Sequence, residues 1–296
     1  MKKNPVQFAH EVLGIELYPL QAEALMNMAM HVLVVLACGR RSGKSLITAI
    51  WAVFDACVRD LRHYQRPGEP RYVLLVAASV PQCRALFRII SDLFKAPMLA
   101  PMVVGEPTND EIRLTNNTIL RVVPCSSRSP RGLAASTVIF EELASYSDSE
   151  GYQSGDQVYA ALAPSTAQFG ADGRTIAIST PRGQRGKFWH VYQDAIARED
   201  GYALHCPTHE MNPMVARSFL ERERESDPEL YRQEYLADFN AIGGSFIDSI
   251  LLENATKSPL PDHEHGTRVM SLDPAFSQDN FAFAIACVPK DDDASV

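Results

Sequence analysis

The run CGRRSGKS, Cys38 to Ser45, joins a turn-permitting loop to a lysine and a hydroxyl, the residue types that hold a triphosphate. In such a loop the backbone N–H groups point inward at a helix N-terminus, where the helix dipole favours negative charge. Gly43 lets the backbone approach closely, Lys44 reaches the β- and γ-phosphates, and Ser45 offers a hydroxyl to magnesium. Gly39, Arg41 and Ser42 complete the candidate cradle. The usual Walker A pattern GxxxxGK[ST] starts on glycine, whereas Cys38 holds that place here. The competing reading is a chance likeness at an ordinary helix start.

Hydrolysis at such a loop needs acids at the end of a neighbouring strand, one for magnesium and one to polarise the attacking water. The segment VIFEE supplies Glu141, assigned to the metal, and Glu142, assigned as the base. Glu141 stands where Asp is usual, and two acids after a strand also read as a solvated turn. A third strand end, AISTPRG, puts Ser179 and Thr180 at the edge where open α/β sheets receive ligands, so small hydroxyls there could sense a γ-phosphate. A plain Ser-Thr-Pro turn is the alternative.

Positioning these groups requires strands that stop at one edge and helices that start there. Continuous apolar runs at 32–37, 71–77, 136–140 and 174–179 predict buried parallel strands. Helices are expected over 44–59, from Pro81 to about Lys95, and over 187–199, with one short helix within 145–173. Residues 111–124 alternate around Asn116-Asn117 as a hairpin that extends the sheet. Two charged helices follow, separated at Asp227-Pro228. The pattern is α/β, with a domain over 1–240 ending in a helical linker subdomain, a linker over 241–266, and a strand pair within 267–296. His205, Cys206 and His209 suggest a metal site only on a helix, and Pro207 argues against one.

With 296 residues and 46% hydrophobic content, disordered and fibrous classes are excluded. Neither a membrane span nor a secretory signal is expected, which points to a cytoplasm. Six dispersed cysteines fit reduced, buried thiols. The net charge of −8 is uneven: residues 241–296 hold nine acids and three bases, leaving 27 acids and 25 bases in residues 1–240. A surface basic throughout is excluded, but a local basic channel is not.

Taken in order, CGRRSGKS, VIFEE, ISTPRG and the later LDPAF resemble the large terminase subunit of tailed double-stranded DNA phages. The resemblance spans nearly the whole chain. It implies a P-loop NTPase of RecA/ASCE type followed by the start of an RNase H-like nuclease, and an ATPase that moves double-stranded DNA into a procapsid. ATP and Mg2+ are the implied cofactors. Implied partners are DNA, the portal of the procapsid, a small terminase subunit and further copies in a ring, all in the host cytoplasm. By the same resemblance, Tyr18 and Gln21 in LYPLQ match an adenine-recognising segment, although they also read as a helix start. Arg40 matches the P-loop arginine, and Arg131 in SPRGL matches a finger reaching a neighbour's nucleotide, with an unpartnered surface arginine as the alternative. Asp273 matches the first carboxylate of a two-metal (Mg2+ or Mn2+) nuclease centre, which needs acids from further strands. Nuclease activity is therefore not expected from these residues alone. Two other readings remain: a superfamily-2-type helicase, which needs a second RecA-like domain, and a nucleotide-binding module without turnover.

Overall fold

The computed structural model describes residues 4–125, 132–146 and 155–240, and the backbone of two strands, Gly266–Asp273 and Ala282–Pro289. The chain divides into two compact units, Met1–Ser245 and Phe246–Val296.

Helices α1 (Pro5–Glu11) and α2 (Pro19–Met30) precede β1 (Leu33–Cys38), α3 (Lys44–Val58), β2 (Arg71–Ala77) and α4 (Val80–Leu93). A short β3 (Glu111–Arg113) turns back into β4 (Thr118–Pro124), and β5 (Ala135–Glu141) follows. Then come α5 (Gly155–Leu162), β6 (Arg174–Ser179), α6 (Gly186–Ala197) and β7 (Gly201–Cys206). Three helices, α7 (Thr208–Met211), α8 (Arg217–Ser226) and α9 (Pro228–Glu234), close the first unit's described part. The second unit's described strands, β8 (Gly266–Asp273) and β9 (Ala282–Pro289), pair antiparallel, with Asp273 ending β8 opposite Ala282.

The sheet runs β3-β4-β2-β5-β6-β1-β7, parallel throughout except for the β3–β4 hairpin. Because side chains alternate along a strand, β1 feeds two cores. Val34, Leu36 and Cys38 pack with α2, α3 and α4, while Leu33, Val35 and Ala37 pack with α5 and α6. Both faces are covered, which is why these strands read as unbroken apolar runs rather than alternating ones. The architecture is that of a P-loop NTPase, a mostly parallel sheet flanked by helices.

Two features depart from the sequence reading. The strand carrying the acids is not hydrogen-bonded to β1, since β6 lies between β5 and β1. Strand β7 has no counterpart among the expected strands, and it pairs parallel with β1 from Leu33↔Gly201 to Cys38↔Cys206. Its half-exposed GYALHC lacks the continuous apolar run that marks the inner strands. His205 and Cys206 therefore lie on a strand, not on a helix with His209, and among the described residues no group of potential metal ligands assembles. No helix among the described residues is long and apolar enough to cross a membrane.

A buried ionic knot holds the far end of α3. The Asp55 carboxylate accepts hydrogen bonds from Ser136 Oγ at 2.6 Å, Thr137 Oγ1 at 2.8 Å and Arg59 Nη1 at 3.0 Å, with Arg71 Nη1 at 3.5 Å. Arg71 also donates to the carbonyls of Asp55 and Ala56, at 2.9 and 3.1 Å. Burial acts to raise the Asp55 pKa, but Arg71, Arg59 and the two hydroxyls outweigh it and hold it below the usual aspartate value. Burial pulls Arg71 downward, yet a guanidinium stays protonated at any working pH. On the other side, Arg174 caps α2 by donating to Met28 O at 3.0 Å and Ala29 O at 2.7 Å.

Asp55→Ala is expected to cost about 3–5 kcal/mol in chemical denaturation, because it leaves the buried Arg71 guanidinium without its carboxylate. A depressed folded pKa contributes stability that is present above the ordinary aspartate range and lost as pH falls through the folded value. The urea midpoint of Asp55→Asn should accordingly fall less steeply with decreasing pH than that of the parent chain.

Candidate functional site

Strand β1 ends at Cys38, and the loop 39–43 turns directly into α3. The turn depends on two left-handed residues, Arg41 at φ 61° and Gly43 at φ 90°. Gly43 is confined twice over. Its backbone angle disfavours any side chain, and a Cβ there would come within 2.6 Å of Gln21 Nε2. Gly39 is equally enclosed, since a Cβ would collide with Thr208 Oγ1 and approach Tyr235 O to 2.6 Å.

Three strand ends then bring the chemistry together. Lys44 Nζ lies 3.1 Å from Glu142 Oε1 and donates to Thr180 Oγ1 at 3.2 Å. The second oxygen of Glu142 accepts from the Thr180 N–H at 3.3 Å and lies 3.2 Å from Ser179 Oγ. Glu142 holds a left-handed conformation, φ 54° and ψ 44°, which costs a non-glycine residue about 1–3 kcal/mol. These contacts to Lys44, Ser179 and Thr180 fix it there. Glu141 is buried, and its Oε1 accepts a hydrogen bond from Ser45 Oγ. Its Oε2 and the Ser42 hydroxyl are buried without a partner among the described residues. Burial, opposed by the Ser45 hydrogen bond and by Lys44 and reinforced by Glu142, pushes the Glu141 carboxyl up to about 7.

The other expected residues are placed differently. Gln21 is buried, with both amide ends turned to protein: Nε2 donates to Ser42 O at 2.9 Å and Oε1 accepts from Tyr18 N at 3.3 Å. In this geometry Gln21 braces the loop, and the helix-start reading describes Tyr18, the N-cap of α2. These two bonds use one of the two Nε2 hydrogens and one of the two Oε1 lone pairs of Gln21. The Arg40 side chain is 63% exposed and pairs with Glu234 Oε2 at 2.8 Å, facing α9. Arg131 lies outside the described residues. Asp273 belongs to the second unit, and only its backbone in β8 is described.

Sequence reasoning does not anticipate the wall that α7–α9 build against the loop. Arg40 N donates to Glu234 O at 2.6 Å, Thr208 Oγ1 to Arg40 O at 2.8 Å, and Asn212 Nδ2 to Arg41 O at 2.7 Å. None of these partners lies in a motif, and their sequence distance from the loop gives no signal. Cys38, in the usual glycine position, is buried beside Cys206 of β7, and burial raises its thiol well above the ordinary value. It is a packing residue, not a nucleophile.

Gly43→Ala is expected to destabilise the chain by about 1–3 kcal/mol in thermal melts, from backbone strain and the collision with Gln21. Adding Gln21→Ala should remove the collision but leave the strain, so the double variant should be less destabilised than the sum of the two single changes.

Several solved structures share the fold. The large terminase ATPase domain of Thermus phage P74-26 has a TM-score of 0.61 at 21% identity, covering 80% of this chain and 99% of that one. The HK97 bacteriophage large terminase has a TM-score of 0.60 at 17% identity, covering 98% of this chain and 65% of that one. The large terminase of a thermophilic bacteriophage, in complex with ADP, has a TM-score of 0.56 at 13% identity, covering 91% of this chain and 65% of that one. At these identities the likeness is one of fold. No curated protein matches the sequence. A family model described as "Uncharacterized protein MJ0330, N-terminal P-loop domain" matches residues 6–237, with the loop, both acids and the Ser179-Thr180 strand end inside the match, and the chain belongs to that P-loop family.

Proposed function

We propose that this chain is the ATP-hydrolysing motor of a large terminase, driving double-stranded viral DNA into a procapsid. The carrying observation is the meeting of Lys44, Glu142 and Thr180 beside the loop, with Lys44 Nζ 3.1 Å from the carboxylate and 3.2 Å from the hydroxyl. The shared fold with phage terminase ATPase domains, and with a large terminase in complex with ADP, supports the same reading.

Lys44 and Glu142 neutralise each other in this ion pair. A triphosphate in the loop competes for Lys44, because a phosphate oxygen accepts the same charge-assisted hydrogen bond. Glu142 is then released to accept a proton from the attacking water. Its links to Ser179 and Thr180 make that segment respond to the γ-phosphate. The loop N–H groups, with the buried Ser42 hydroxyl as a further donor, hold the phosphates.

Glu141 and Ser45 fit a magnesium ion. Both offer hard oxygen ligands, and the buried Glu141 Oε2, without a partner among the described residues, is an acceptor left open for a cation. When bound, magnesium neutralises charge on the β- and γ-phosphates. Arg40 from the loop and Arg131 from an adjacent copy are the proposed guanidiniums on the γ-phosphate. A finger supplied by a neighbour requires a ring, here of copies on the portal, with a small terminase subunit delivering the DNA. Asp273 is proposed as one ligand of a two-metal nuclease centre that needs acids from further strands.

Lys44→Ala should reduce phosphate release at least about a hundredfold. Glu142→Gln should keep nucleotide binding while lowering turnover by about 10²–10⁴. Turnover per chain should also rise with protein concentration as the ring assembles. Steady hydrolysis in either variant, measured in a preparation free of contaminating ATPase, would remove the basis of this assignment.

A further inference from the structure

The loop is held by side chains at three consecutive carbonyls. Thr208 Oγ1 donates to Arg40 O at 2.8 Å, Asn212 Nδ2 to Arg41 O at 2.7 Å, and Gln21 Nε2 to Ser42 O at 2.9 Å. Gln21 reaches in from α2, Thr208 from the start of α7, and Asn212 from the residue that caps α7.

A trans peptide is planar, and its C=O and N–H point in opposite directions. The loop peptides are trans, so each of these bonds also sets the N–H of the following residue. The hold on Arg40 O directs Arg41 N–H, the hold on Arg41 O directs Ser42 N–H, and the hold on Ser42 O directs Gly43 N–H. Among the described residues none of these three N–H groups has an acceptor. Arg41 and Gly43 are left-handed, at φ 61° and 90°, and Ser42 between them is not. That alternation gathers successive N–H groups into a concavity suited to an anion. A left-handed angle is uncommon outside glycine, and the carbonyl of Arg41 is the one that Asn212 holds.

We propose that Thr208 and Asn212 are positioning residues for nucleotide binding: they hold the carbonyls of Arg40 and Arg41 outward and thereby aim the N–H groups of Arg41 and Ser42 at the α- and β-phosphates. Gln21 does the same for Gly43. The assignment rests on the P-loop reading above and adds to it two residues that lie outside every motif. A loop without these holds has to order its peptides when the phosphates arrive, and affinity falls by that cost.

The test is a fluorescence titration of the full chain with ADP and with ATPγS in magnesium, beside steady-state hydrolysis of ATP and thermal melts without nucleotide. Thr208→Val keeps the shape and removes the donor, Asn212→Ala removes the amide, and neither changes charge. Each should weaken both nucleotides about three- to tenfold and by the same factor, since both carry the phosphates that such a loop cradles. KM for ATP should rise while kcat stays within about twofold, the pattern of a contact made equally in ground and transition states. Thr208→Ser restores the hydroxyl and should recover most of the loss. A role confined to anchoring α7 would lower the melting temperature and leave affinity unchanged. Unchanged affinity in the folded variants, or a loss confined to ATPγS, would overturn the proposal while leaving the P-loop reading intact. Binding of neither nucleotide by the unaltered chain would overturn that reading, and this assignment with it.

Discussion

The Lys44–Glu142 ion pair is the contact on which the rest of the site is arranged. A lysine and a glutamate with little exposure face each other here, and further donors complete the carboxylate. Thr180 N–H and Ser179 Oγ provide that completion, and the left-handed angle of Glu142 is tolerated because these contacts over-determine it. Three strand ends, those of β1, β5 and β6, must therefore stop at one level. Parallel pairing enforces this, with Ala37 opposite Ser179 and Glu141 opposite Ile178.

Stability and chemistry are separated along α3. Its first residues, Lys44 and Ser45, face the site, whereas Asp55 near its other end is locked to β2 and β5 by Arg71, Ser136 and Thr137. The helix is buried along most of its length, so its position is set by its core neighbours and by this knot. A helix held at its far end can present its N-terminus to a ligand without adjusting.

Much of this is legible from residue order. The inner strands stand out as unbroken apolar runs because both faces are covered, and RYVLLVA and RTIAIS coincide with β2 and β6. The loop lysine and the two acids stand out because their chemistry restricts residue type. What stays hidden is non-local or half-exposed. Strand β7 lies at the sheet edge with mixed exposure, so its composition carries no strand signal. The role of Gln21 as a brace depends on a backbone carbonyl 21 residues away, which no spacing rule encodes. The place of β6 between β5 and β1 is likewise invisible, because strand order is a property of topology and not of any local pattern.

The wall formed by α7–α9 has a consequence for biogenesis. Loop 39–41 receives hydrogen bonds from, or donates them to, Cys206, Thr208, Asn212 and Glu234. A nascent polypeptide leaving the ribosome has made the phosphate-binding loop long before it has made these partners. Until residue 234 has emerged from the exit tunnel, the outer half of that loop lacks its full set of neighbours, and the ligand cradle is among the last parts of its unit to acquire its final shape.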